Sequence, residues 1–191
     1  MRPGRQSDLR AGLRAGWVNP KAYKKAVGRF ATGVTVVTTH VDDDHFAITI
    51  SSFTSVSLDP VQVLVCVEKS TRFHPAVLTA GRWAVSVLAV GQEDVSRWFA
   101  TRGRSADPDQ FAGFAHHAGA LTGAVLFDEA LTQLECRTVA AYDGGDHAII
   151  LGEVIGVDTS VDAGAESREP LVYFEGGYRR LGGPSTPRPE F

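Results

Sequence analysis

From residue 34 the apolar and polar positions settle into a period of two. VTVVTTHV at 34–41 and FAITISSF at 46–53 flank a DDDH turn and predict an antiparallel hairpin rich in Val, Thr and Ile. Asp59-Pro60 interrupts the run. VQVLVCV at 61–67 is nearly all apolar, which predicts a strand buried on both faces at the centre of a sheet. Alternation returns in WAVSVLAV at 83–90 and again in LTQLECRTVAAY at 131–142 and HAIILGEVIGV at 147–157. A DGGD turn at 143–146 joins the last two into a second long hairpin, and LVYF at 171–174 is a final short strand.

Three segments carry a helical pattern instead. Asn19 before Pro20 is an N-cap followed by the favoured first-turn proline; Ala22, Tyr23, Ala26, Val27 and Phe30 share one face, and Gly33 ends the pattern. That stripe predicts a helix leaning on a sheet. EKSTRFHPAVLTAG at 68–81 leads into a short helix closed by Gly81, capped either by Ser70 or Thr71 or by His74 with Pro75 as its first residue. Either register puts the turn at 70–73 beside a helix N-terminus, where free N–H groups favour an anion. GQEDVSRWFA at 91–100 reads as a helix carrying Val95, Trp98 and Phe99.

The segment at 101–130 mixes Gly, Pro and isolated aromatics without a period and predicts an extended excursion with little regular structure. Residues 158–170 are polar and loop-like. Residues 1–18, with four Arg against one Asp, predict a disordered arm, and the Pro-rich residues 182–191 a disordered tail. One domain at 19–181 remains, with six or seven hairpin-linked strands and short helices. The fold expected is mainly β, an antiparallel barrel with peripheral helices, in preference to a doubly wound α/β fold.

Composition narrows the function classes. Of 191 residues, 43% are apolar and 21% charged, with a net charge of -3. The scattered cations lack the aromatic interleaving of a nucleic-acid binder. No apolar run reaches a membrane span and no signal-peptide pattern opens the chain, so the expectation is a cytoplasmic protein. Cys66 and Cys136, each inside an apolar strand pattern, are expected as free thiols, as a reducing compartment allows.

The common catalytic motifs are absent: no GxSxG elbow, no GxGxxG after a strand, no P-loop, no HExxH and no CxxC. His116-His117 has no neighbouring carboxylate or Cys to complete a metal set and reads as a surface pair. The candidate chemistry lies in residues 46–73, where small hydroxyls at Ser51, Ser52, Ser55 and Ser57 precede a polar turn with Lys69 and Arg72. Such hydroxyls suit the edge of a planar ring, and a cationic turn suits a phosphate. The same serines equally describe a polar strand edge, and Arg72 a solvated surface cation.

The ordered series FATGVTVVTT, ITISSFTSVSLDP, the polar turn, WAVSVLAVGQEDVSRWFA, YDGGDHAIILGEVIGV and LVYFEGGYRRL resembles the flavin reductase family, which has the split-barrel flavin-binding fold. The similarity covers residues 23–181, and DGGDH and YFEGGYRRL are its most specific blocks. It is nearest to the reductase components of two-component flavin-dependent monooxygenases. The resemblance implies hydride transfer from NADH to FAD or FMN, a homodimer, and a separate oxygenase that receives the reduced flavin.

Carried onto this chain, the family's flavin contacts would fall at Phe46, Ala47, Ile48, Thr49, Ser51 and Ser52 for the ring. Cys66, Val67, Glu68, Lys69, Ser70, Arg72 and Phe73 would hold the ring edge, ribityl chain and phosphate. By the same resemblance Trp98 and Phe99 would reach the flavin from their helix, although two aromatics at a helix end also describe simple packing. His147 and the segment Tyr173, Phe174, Glu175, Gly176 and Tyr178 would stand on the nicotinamide side. Ala47, Val61 and Ser86 depart from the family's common Gly, Pro and Asn. A flavin-binding split barrel without turnover, a carrier or sensor, is the alternative.

Overall fold

The computed structural model describes residues 18–104, 106–158 and 169–182. Apart from Val18 and Gly182, the expected arm and tail lie outside the described residues, as do residues 159–168 of the polar loop. Helix α1 spans Pro20–Val27, with Asn19 Oδ1 accepting the Lys21 N–H at 2.8 Å as the sequence predicts. It ends at Gly28, short of the expected Gly33, and none of its residues is buried. Tyr23 is 58% and Phe30 77% exposed, so no sheet among the described residues covers the stripe. Helical periodicity marks an apolar face without saying what covers it.

Strands β1 (Thr32–Gly33), β2 (Thr35–Val41), β3 (Asp44–Ile50), β4 (Thr54–Leu58) and β5 (Val61–Glu68) come next. They are followed by α2 (Phe73–Ala80), β6 (Arg82–Val87) and α3 (Glu93–Ala100). The second half adds β7 (His116–Ala118), β8 (Val125–Phe127), β9 (Thr132–Gly144), β10 (His147–Asp158), β11 (Val172–Phe174) and β12 (Gly177–Arg179). Both expected long hairpins form, β2–β3 and β9–β10, the second turning through Gly145 at φ 82°.

Seven strands make one antiparallel sheet in the order β3-β2-β6-β9-β10-β5-β4. Laid flat it would be about 29 Å wide. Yet its two edges, β3 and β4, are joined by only Ser51, Ser52 and Phe53, a link reaching at most roughly 14 Å. The sheet therefore curls until its edges meet, and a barrel results. No ladder runs between β3 and β5 among the described residues, so the barrel is split there. Where β4 leaves β5, Ser52 Oγ accepts the Cys66 N–H at 2.9 Å and donates to the Cys66 carbonyl at 3.1 Å, replacing two ladder bonds.

The strand buried on both faces is β2, not β5. Val37 packs in the barrel core with Val65, Trp83 and Ile150, while Val36 packs in a second core with Leu88, Phe99, Phe111 and Phe127. β5 alternates, with Val63, Val65 and Val67 buried and Gln62, Leu64 and Cys66 half-buried, and it lies second from the edge. The difference lies in what covers each strand from outside. α3 and the excursion at 101–130 pack over β2, whereas no layer among the described residues buries the outer face of β5.

That excursion is more ordered than its sequence predicts. A short 3₁₀ turn at Pro108–Phe111 buries Phe111, and β7 pairs with β8, whose three residues are all buried. Its turn is anchored by the buried carboxylate of Glu135 on β9, which accepts from Leu121 N at 2.9 Å, Thr122 N at 2.6 Å and Thr122 Oγ1 at 2.7 Å. Long-range hydrogen bonds of this kind leave no periodic trace in sequence.

Candidate functional site

A cavity of about 440 Å³ opens between β3, the turn joining β5 to α2, and the segment that leaves α3 at 99–104. β3 lines it with His45, Phe46, Ala47, Ile48 and Thr49. The strand is held from behind by Thr49 Oγ1, which donates to the Ser96 carbonyl at 2.7 Å. Phe73 and Phe99 form apolar surface, each nearly fully buried.

The turn after β5 is closed on itself. The Glu68 carbonyl accepts from Thr71 N at 3.1 Å and from Thr71 Oγ1 at 2.7 Å. The Glu68 carboxylate accepts from Ser70 Oγ at 2.7 Å and from Arg102 Nη2 at 2.6 Å, tying the turn to the segment opposite. The Ser70 hydroxyl and then Arg102 hold this carboxyl below its ordinary pKa, because both favour the ionised form. Neither expected cap of α2 forms. Arg72 occupies the N-cap position without a capping side chain, leaving the helix N-terminus open beside the cavity.

On the opposite wall Gly103 takes φ 80°, and the chain folds back so that Arg104 reaches across. Its Nη2 donates to the Ala47 carbonyl at 2.7 Å, and its Nη1 to the carbonyls of Trp98, at 2.8 Å, and Thr101. The guanidinium carbon sits 5.0 Å from the Phe99 ring centroid. Burial, and then the charge of Arg72, lower the Arg104 pKa from the arginine value. His45 is lowered as well, by burial and then by His40 and His116, and so is neutral at pH 7. Two buried polar atoms without a partner among the described residues, His45 Nδ1 and Arg104 Nε, belong to residues lining this one cavity.

The cavity brings together nine residues singled out from sequence: Phe46, Ala47, Ile48, Thr49, Glu68, Ser70, Arg72, Phe73 and Phe99. The others stand elsewhere. Ser52 is engaged with Cys66, and Val67 lies in the barrel core. Lys69 pairs with Asp143 and donates to the Gly145 carbonyl at 2.7 Å, and Trp98 Nε1 donates to the Gln110 carbonyl at 2.9 Å. His147 faces Glu68 across the β10–β5 ladder and bonds Asp146 at 2.8 Å. Tyr173, Phe174, Glu175, Gly176 and Tyr178 form the β11–β12 hairpin, whose Tyr178 hydroxyl meets Ser96 Oγ at 2.7 Å. His45, Thr101, Arg102, Arg104 and Gln110 join the lining unannounced, together with Thr71 of the turn already singled out at 70–73. Only the TRGR run at 101–104, two cations about a glycine directly after a helix, carried a signal.

The profile of the flavin reductase like domain matches residues 27–182. The chain belongs to this family. The reductase component of 4-hydroxyphenylacetate 3-monooxygenase from Thermus thermophilus is 40% identical over 165 residues, covering 86% of this chain and 99% of that one. BorF, the flavin reductase component of a bacterial two-component tryptophan halogenase, superimposes with a TM-score of 0.78 at 42% identity over 85% of this chain and 98% of its own. The NADH:FAD oxidoreductase SgcE6 of Streptomyces globisporus C-1027, solved with NAD and FAD fragments, gives 0.79 at 38% identity, covering 90% of this chain and all of that one. The fold is thus the split barrel of the flavin reductases. The cavity suits a flavin: it has the size of a cofactor site, apolar aromatic walls and an open helix N-terminus, and two of its lining residues carry an unpartnered buried polar atom.

Proposed function

We propose that this protein is an NADH-dependent flavin reductase that reduces FAD or FMN and delivers the reduced flavin to a separate flavin-dependent monooxygenase. The observation that carries this reading is the cavity against β3, lined by residues with unsatisfied polar atoms, in a chain of the flavin reductase family. A bound flavin supplies the hydride-accepting chemistry, so the protein needs only to bind, orient and shield. The β3 backbone from Phe46 to Thr49 forms one wall for a planar ring, Phe73 and Phe99 exclude water, and the open α2 N-terminus with Arg72 meets a phosphate. His147, whose ladder partner is Glu68, would meet the nicotinamide.

A homodimer is part of this proposal. The uncovered α1 stripe supports it. The end of α1 holds the β11–β12 hairpin, with Glu175 N donating to the Gly28 carbonyl at 2.7 Å and Glu175 paired to Arg29 at 3.2 Å. A second copy seated on the stripe would therefore stand close to that hairpin. We also propose a cytoplasmic location. Both cysteines are free, and burial pushes the Cys136 thiol up to about 12, keeping it inert. Among the described residues no helix is long and apolar enough to cross a membrane.

Anaerobic mixing with NADH and either flavin tests the activity. Bleaching of the oxidised-flavin band near roughly 450 nm is expected with both FAD and FMN. Stable flavin binding without bleaching would indicate a carrier, and absence of flavin binding would overturn the assignment.

A further inference from the structure

Lys69, a cation of the turn after β5, is not among the residues that line the cavity. It reaches the DGGD turn instead. Its Nζ donates to the Asp143 carboxylate and, at 2.7 Å, to the Gly145 carbonyl, while its main-chain N–H donates to the Asp146 carbonyl at 3.0 Å. One residue of the β5–α2 turn thus holds the first, third and fourth residues of the β9–β10 turn. The hydrogen bond from Lys69, and then its charge, hold the Asp143 carboxyl below its ordinary pKa, so the carboxylate is ionised at pH 7. Both side chains are exposed, and an exposed ion pair contributes little to stability. What it fixes is geometry, in a turn whose glycines leave many backbone conformations open.

His147 follows that turn directly. Its Nδ1 lies 2.8 Å from Asp146 Oδ1, and this bond is the main cause that lowers the Asp146 pKa. An ionised carboxylate only accepts, so Nδ1 is the donor and Nε2 is the ring's remaining polar atom. We propose that Lys69 is a positioning residue for the reductase: it staples the β9–β10 turn to the β5–α2 turn and thereby fixes the direction in which His147 presents Nε2 to the nicotinamide. This role rests on the reductase reading above and adds to it a residue outside the cavity that acts through another. The β10–β5 ladder ends at His147 and Glu68, and the three bonds from Lys69 continue the attachment beyond it. Asp146, which orients the ring, lies inside the clasped turn.

The test uses the full chain with Lys69→Met and His147→Ala, singly and together. In Lys69→Met the NADH KM should rise roughly threefold to tenfold, the scale of coupling within one hydrogen-bond network, with kcat and the FMN and FAD dissociation constants within about twofold. Lys69→Arg, which keeps the charge and the donors, should recover most of the loss. The double variant should show the NADH KM of His147→Ala alone, because Lys69 acts through His147. Additive effects would overturn the proposal, and so would an unchanged NADH KM in either single variant. Flavin affinity weakened in Lys69→Met as much as NADH use would overturn it too, making Lys69 a flavin ligand. Amide hydrogen exchange needs no turnover: in Lys69→Met the amides of Gly145 and His147 should exchange roughly fivefold faster or more while those of β6 hold, and unchanged exchange in the turn sinks the idea. Flavin bound but not bleached by NADH in the unmodified protein would overturn the reductase assignment and the role of His147 with it, whereas an unmoved NADH KM in an active Lys69→Met protein overturns only the role of Lys69.

Discussion

Ser52 satisfies both main-chain groups of Cys66 with one hydroxyl, at the point where β4 parts from β5. Replacing it with Ala leaves an N–H and a carbonyl to be met by water in a half-buried seam. Ser52→Ala should lower stability by about 1–3 kcal/mol, read as a shift in the urea midpoint at unchanged m-value. Gly152 is a second such residue. A Cβ there would overlap the indole of Trp83, which is fully buried in the barrel core. Gly152→Ala should cost about 1–3 kcal/mol in the same assay, since a packed indole has no room to retreat. Neither role was legible in sequence: Ser52 sat in a serine run that suited a ligand equally well, and Gly152 looked like one strand glycine among several.

At the scale of elements, the β5–α2 turn and the segment after α3 are joined by Glu68 and Arg102 across the mouth of the cavity. The Glu68 carboxyl is held below its ordinary pKa, so the tie is present above the usual carboxylate range and is lost as pH falls through the lowered folded value. In Arg102→Gln the Ser70 hydroxyl remains, and the Glu68 titration should move up towards the ordinary glutamate value. A carbon-detected NMR titration of the Glu68 side chain in both proteins measures this, and an unmoved titration would remove Arg102 from the tie. The turn itself was readable as polar and cationic; its partner segment was not, because 101–104 lies in a stretch without period and meets Glu68 only through the fold.

For the whole molecule, the homodimer proposed above rests on α1. A helix with Tyr23 and Val27 exposed on one face, no buried residue, and the exposed Phe30 just past its end presents apolar surface that a second copy would bury. In light scattering the protein should have twice the 20.5 kDa mass of the chain. Phe30→Glu should shift it towards the monomer and lower its melting temperature in a concentration-dependent way. A monomer at micromolar concentration in the unmodified protein would contradict the dimer.

The two-residue period, the cap at Asn19, the stop at Gly81 and the DGGD turn were decided locally, by backbone preference and side-chain alternation. For that reason strands, hairpins and barrel class could be read from the chain alone. Within 46–73 the cations Lys69 and Arg72 could be read as candidates from their chemistry, and Phe46 and Phe73 only through the family resemblance. Which of them share one cavity could not. Closure of the sheet through Ser51 to Phe53 sets β3 against the turn after β5, and Gly103 folds Arg104 onto Ala47. Lys69 is drawn off to Asp143. Such pairings depend on contacts between residues tens of positions apart, which periodicity does not encode, and so only the tertiary structure decided them.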